Sequence, residues 1–260
     1  RSFLDRIEIP VQDEDGNEVA LYRYKLHPLM RQYAAAKAGE ELLARLRPRA
    51  AAYFLGYAWS LAGNFFMLGL EHENLLAAMD WFAASQESSS GNDRKAAENS
   101  VLLIFPLGNY LDTLGYWKEY DRCLRQAITA AEIIEDRNGT ATLIQNLAVL
   151  DGKKGDYNES LKLCRKSLEI YKELGNKRGM SSSLHTLANL AYLTGELEES
   201  SNLYQQSLKI DQELGDKSSE SKSLHQLGML AESIGEYDKA KRLYQQSLEI
   251  SMQLGDKKDV

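Results

Sequence analysis

Four histidines, two cysteines and many carboxylates are the groups from which this 260-residue chain could build an active site or a metal centre. Their spacing points away from both. Glu71-His72-Glu73 is not the H-E-x-x-H pattern that sets two imidazoles on one helical face, and consecutive helical residues diverge, so these three read as solvated helix surface. Cys123 and Cys164 are too few for a disulfide framework and read as core packing in a reducing compartment. No G-x-S-x-G elbow is present, and no G-x-x-x-x-G-K-[ST] loop that would cradle phosphates, so the chain reads as non-enzymatic with no cofactor or metal of its own. His185 and His225 stand apart. Each follows a leucine in the same tripeptide, Ser-Leu-His, at positions 40 residues apart.

That interval runs through most of the chain. Gly115, Gly155, Gly195 and Gly235 share it, as do the pairs Leu174-Gly175, Leu214-Gly215 and Leu254-Gly255, and residues 176–215 laid over 216–255 agree at nearly half of their positions. A fixed period of this length signals a solenoid, whose units have apolar faces too small to bury alone and must stack. Within residues 216–255, Leu224, Leu227, Leu230, Ala231 and Ile234 form one amphipathic stripe ended by Gly235. A second runs through Ala240, Leu243, Tyr244, Ser247, Leu248, Ile250 and Leu254 to Gly255. The unit is a helical hairpin. Proline is absent after Pro106, which itself sits inside the first helix of its unit and is expected to kink or shorten it.

The order Leu227-Gly228, Ala231, Gly235, Tyr237, Ala240, Tyr244, Ser247-Leu248 resembles the tetratricopeptide repeat (TPR) signature. Earlier units carry Leu187-Ala188, Ala191, Gly195, Tyr204 and Ser207-Leu208, then Leu147-Ala148, Gly155, Tyr157, Cys164 and Ser167-Leu168, then Leu107-Gly108, Gly115, Leu124 and Ala127-Ile128. About four units of 40 residues are expected over 95–260, similar to the long-helix arrays of kinesin light chains and of sensor domains in signalling ATPases. Asp151 stands where a packing residue is expected.

In such arrays the first helix of each hairpin lines a concave surface. The resemblance then places Phe105, Gln145, His185 and His225 in one row, Asn109, Val149, Asn189 and Met229 in a second, and Asp112, Gly152, Tyr192 and Glu232 in a third. Asn146 and Gln226 adjoin the first row, where amides suit peptide backbone because each both donates and accepts. The candidate groove is therefore Phe105, Asn109, Gln145, Asn146, Val149, His185, Asn189, Tyr192, His225, Gln226 and Met229. With few charges it suits a neutral or amphipathic peptide or protein.

The start of the chain differs. Arg6 to Val11 and Val19 to Lys25 are β-prone around Asp15-Gly16, and a helix is expected from about Pro28 to Lys37. Tyr24 to Ala34, YKLHPLMRQYA, resembles the end of the winged-helix module in STAND and NB-ARC signal-transducing NTPases, and Leu70 to Phe82 resembles the segment before their repeats. The resemblance implies an all-α right-handed TPR superhelix preceded by a winged-helix remnant with a β-hairpin at 1–40 and a degenerate helical hairpin or connector at 41–94. In that family the motif histidine, here His27, helps hold ADP. ATP or ADP with magnesium would belong to the parent protein alone.

The formal net charge of −7 argues against a nucleic-acid duplex or an anionic membrane surface as partner. No apolar run is long enough for a membrane span and no signal peptide opens the chain, so a cytoplasmic protein is expected. The missing initiator methionine and the closing GDKKDV, similar to GDKSSE at 215–220, suggest a piece of something longer. The resemblance implies a sensor that binds a peptide or protein inducer, releases an intramolecular NTPase core from autoinhibition and permits oligomerisation of the parent, the piece itself being monomeric. A constitutive scaffold of the kinesin-light-chain kind, without a nucleotide switch, is the alternative.

Overall fold

A computed structural model of the chain describes residues 4–12, 18–26, 28–86 and 93–255. The chain divides into two compact units, Arg1–Tyr53 and Phe54–Val260. The first contains strands β1 (Leu4–Gln12) and β2 (Glu18–Leu26), which pair antiparallel with Leu4 opposite Leu26 and Gln12 opposite Glu18. His27 and the hairpin tip at Asp15-Gly16 lie outside the described residues. Helix α1 (Pro28–Ser60) follows, broken at Gly39, whose φ of 70° and ψ of 157° no helix accommodates. The break falls two residues beyond the predicted end of the first helix.

In the second unit, the chain bends between Ser60 and Phe65. Helix α1 ends at Ser60 and α2 (Phe65–Leu70) begins anew, because Gly63 turns at a φ of 91° and Asn64 caps the new helix, its Oδ1 accepting from the Met67 amide at 3.1 Å. Helix α3 (His72–Ser85) comes next. Glu71 and His72 are not the solvated surface expected of them. Glu71 is buried, and the His72 ring lies 4.6 Å from that of Tyr116 while its Nδ1 is 3.0 Å from the Tyr110 hydroxyl.

Four hairpins then follow: α4 (Asp93–Thr113) with α5 (Trp117–Ile133), α6 (Arg137–Lys154) with α7 (Tyr157–Glu173), α8 (Lys177–Leu193) with α9 (Leu197–Leu214), and α10 (Lys217–Ser233) with α11 (Tyr237–Leu254). The same local chemistry makes each. Leading helices α6, α8 and α10 are capped by Asp136, Asn176 and Asp216, whose side chains accept from amides three residues on at 2.8–3.2 Å. Each leading helix ends in a glycine turn: at Gly155 (φ 87°), for example, the next amide, of Asp156, reaches back to the Asp151 carbonyl at 2.9 Å.

Cores form across unit boundaries. Ala148, Cys164, Leu168, Leu184 and Leu187 join α6, α7 and α8, and Ala188, Tyr204, Leu227 and Leu230 join α8, α9 and α10. Burial pushes both cysteine thiols up to about 12, so they stay protonated, as packing residues do. Beside the leucines runs a buried polar ladder. Ser167 meets Ser183 at 3.0 Å, Ser181 meets Ser207 at 2.9 Å, and Ser221 meets both Ser247 and Ser251 at 2.9 Å. Asp211 on α9 accepts from Ser181 of α8 and from Ser223 of α10, tying neighbouring leading helices through one carboxylate. Asp151, also buried, is held by Lys154 at 2.7 Å, and the same ammonium reaches Asp121 on α5 at 3.2 Å.

Pro106 does not shorten its helix. Helix α4 has 21 residues against 17 or 18 in the later leading helices. The α-helical donor to the Leu102 carbonyl would be the nitrogen of Pro106, which carries no hydrogen. The indole Nε1 of Trp59 donates to that carbonyl instead, at 3.2 Å.

Candidate functional site

Leading helices stand side by side, and polar side chains join them directly. Lys153 of α6 donates to both carboxylate oxygens of Asp112 on α4 at 2.7 and 2.8 Å, and the Gln145 amide of α6 donates to Ser182 of α8 at 2.5 Å. Because equivalent residues recur every 40 positions, the outward side chains of these helices make rows across units.

One row is the most open. Asn109, Val149 and Met229 are exposed and Asn189 half-buried, while Phe105 and Tyr192, on adjoining turns, are also exposed. Phe105 at 42%, Val149 at 38%, Tyr192 at 36% and Met229 at 37% put at least one apolar side chain into solvent on each of the four leading helices. Burying them against a partner would gain about 25 cal/mol for each Å² covered.

Imidazoles and amides lie between these apolar side chains. The His185 ring sits edge-on to Tyr204 at 5.2 Å, and the more exposed His225 lies 5.3 Å from Tyr244. Burial holds His185 below its ordinary value, and the charge of Lys222, from the next leading helix, adds to the effect. It is a neutral donor and acceptor. Asn146 and Gln226 are half-buried. The Tyr204 hydroxyl donates to the Asn189 side-chain oxygen, leaving the amide nitrogen of Asn189 for other use.

Gln145 is placed differently from its row. It is only 8% exposed, its amide donating to Ser182 and its oxygen accepting from Ser183 at 3.2 Å, so it belongs to the polar ladder. The reason is its neighbours: Ser182 and Ser183 offer hydroxyls in reach, whereas His185 and His225 meet tyrosine rings.

Spacing gives no signal for two further exposed leucines, Leu102 on α4 and Leu193 on α8, whose equivalents in the other repeats are polar, nor for Trp59 of α1, which bonds the Leu102 carbonyl. Among the described residues no group of three or more histidine, cysteine or acidic side chains could hold a metal ion, and no helix is long and apolar enough to cross a membrane.

The tetratricopeptide repeat family matches residues 139–213 and, overlapping, 179–253. Residues 139–253 are thus a tetratricopeptide repeat region. The fold resembles that of BtubC (BKLC) from P. vanneervenii, at a TM-score of 0.61 and 19% identity over 88% of this chain and 93% of that one. It also resembles a Podosopora anserina putative kinesin light chain with nearly identical TPR-like repeats, at 0.59 and 17% over 77% and 94%. A third similar structure is the Rap conjugation gene regulator of plasmid pLS20 in complex with the Phr* peptide, at 0.57 and 15% over 74% of this chain but 55% of that one. Among curated proteins no sequence match is found.

Proposed function

We propose that this chain holds a peptide or protein partner along its leading-helix face, with Phe105, Val149, Tyr192 and Met229 as apolar contacts and Asn109, Asn146, Asn189, His185, His225 and Gln226 as hydrogen-bonding groups. The observation that carries the reading is the placement of at least one exposed apolar residue on each successive leading helix, interleaved with uncharged polar ones. A surface of that kind suits an extended or amphipathic segment, whose apolar side chains are gripped at intervals while its backbone is bonded between them. The complex of the Rap regulator with the Phr* peptide gives the reading a precedent on a similar fold.

At the finer level the partner is an inducer, and the chain is the sensor part of a STAND-type NTPase. Residues 1–40 would be the remnant of its winged helix, with His27 near the nucleotide. Inducer binding would favour an open form only through its differential affinity for that form over the autoinhibited one. The ATP or ADP with magnesium would be held by the NTPase core. A constitutive scaffold is the second reading, favoured by the near-complete coverage of BtubC and of the kinesin-light-chain structure. A Walker A motif in the coding sequence before Arg1 separates the two, being required by the first and foreign to the second.

To test the shared part, Val149, Tyr192, His225 and Met229 are replaced by alanine together, and partners captured by the parent chain are titrated by fluorescence anisotropy. Binding is expected to fall at least 100-fold while thermal melting stays close to the parent's, since exposed substitutions cost within about 0.5 kcal/mol each. Unchanged affinity would remove the leading-helix face from the proposal.

A further inference from the structure

Where the first hairpin turns into the second, a hollow of about 510 Å³ is lined by Ala131 and Glu132 of α5, Glu135 of the turn, Arg137 and Thr140 of α6, and Ile170 of α7. The later junctions show why it lies here. At the second, Ala131 gives way to the buried Tyr171 and Thr140 to Met180, which packs with Ile210 against the core around Leu184. At the third, the same two positions hold Asp211 and Glu220, both buried, with Glu220 accepting from Gln212 and Lys217. Small side chains at the first junction thus leave room that the later ones fill with larger groups.

Its charges are equally particular to this junction. Glu132 and Glu135 are replaced by Lys172 and Gly175 at the second and by Gln212 and Gly215 at the third. Arg137 is already bonded to Glu173 of α7, and among the described residues neither Glu132 nor Glu135 forms an ion pair. Two exposed carboxylates therefore stand at the mouth of a hollow floored by Ala131 and Ile170.

We infer that this hollow binds a small organic ammonium ion, whose ring or short alkyl body lies on Ala131 and Ile170 while its nitrogen donates to Glu132 and Glu135. The volume falls within the range of small-molecule sites and exceeds what one lysine or arginine side chain of a partner would fill. An anionic ligand would meet two like charges. A neutral one would gain the apolar contact but leave both carboxylates uncompensated. None of the lining residues belongs to the leading-helix face, so the site stands whether or not that face holds a partner.

Phenethylammonium is the probe, with phenethyl alcohol as its uncharged counterpart and hydrocinnamate as its anionic one. Each is titrated into the isotope-labelled 260-residue chain and followed by amide chemical shifts. A fragment of this size is expected to bind with a dissociation constant on the order of 1 mM, its shifts centred on the lining residues. The alcohol should bind about 5-fold more weakly and the carboxylate not measurably. Glu132→Gln combined with Glu135→Gln should bring the ammonium down to the alcohol's affinity and leave the alcohol unchanged. Thr140→Met, which copies Met180 of the next junction, should weaken both about 10-fold by filling the hollow. No shift at the lining residues up to about 20 mM overturns the proposal, as do equal affinities for the ammonium and the alcohol, or a Thr140→Met chain that binds as the parent does. Should Thr140→Met unfold, the paired glutamine variant decides alone, and an ammonium affinity that it leaves unchanged overturns the site.

Discussion

The indole nitrogen of Trp59 bonds the carbonyl oxygen of Leu102 across 43 residues of chain, taking up the acceptor that Pro106 leaves without its helical donor. One residue's missing hydrogen is thereby supplied by another's ring, and α4 continues to Thr113. Replacing Trp59 by phenylalanine should cost about 1 kcal/mol in urea unfolding, the ordinary net value of such a bond. In a Pro106→Ala background the helix regains its own donor, and Trp59→Phe should there cost measurably less. Equal costs in both backgrounds would show that the bond and the proline are unrelated.

Asp211 predicts a pH dependence. Burial raises its carboxyl above the usual carboxylate range, outweighing the hydroxyls of Ser181 and Ser223 that favour the charged form. The folded state therefore binds this proton more tightly than the unfolded chain does. Its contribution is greatest at acidic pH and is lost as pH rises through the raised value. Asp211→Asn, which can accept from one serine and donate to the other, should raise the melting temperature at pH 7 by a few degrees and flatten this part of the stability–pH curve. A lower melting temperature at pH 7 would mean that the charge itself is needed.

His185 works in the opposite sense. Held below its ordinary value by burial and then by Lys222, its ring contributes stability while neutral, and that contribution is lost as pH falls below about 6.5. NMR titration of the imidazole should place its midpoint below that of a model histidine. Lys222→Gln should move it upward by a few tenths of a unit, as removal of a nearby like charge does. No movement would place Lys222 too far away to act.

Glu135 occupies the turn between the first two hairpins with φ of 61°, where the later turns have Gly175, Gly215 and Gly255. Among the described residues it is the one non-glycine in the left-handed region. Glu135→Gly should stabilise the protein by up to about 1 kcal/mol, the relief of Cβ crowding less the entropy glycine loses on folding. Thermal melts measure it directly, and destabilisation would point to a compensating contact of the Glu135 side chain.

The hairpins were legible because their information is local and repeated: glycine after each leading helix and leucines at three and four. The same repetition gave the leading-helix rows, on which Val149 and Met229 are exposed. Gln145 shows where register stops being enough. Its fate depends on Ser182 and Ser183 of the following unit, an encounter between residues about 40 apart that spacing treats as interchangeable with His185 meeting Tyr204. Pro106 leaves its helix unshortened for a similar reason, since the indole that takes its place as donor lies before the repeats. Likewise the break at Gly63-Asn64 is a cap signal inside an otherwise continuous apolar run, weaker on the page than the hydrophobicity around it.

Because Ala188 and Tyr204 of one hairpin share their core with Leu227 and Leu230 of the next, no hairpin owns a complete interior. Deleting a terminal hairpin strips the roof from its neighbour as well as removing its own residues. A series of shortened arrays should therefore lose stability faster than it loses length, and melt from the shortened end inward.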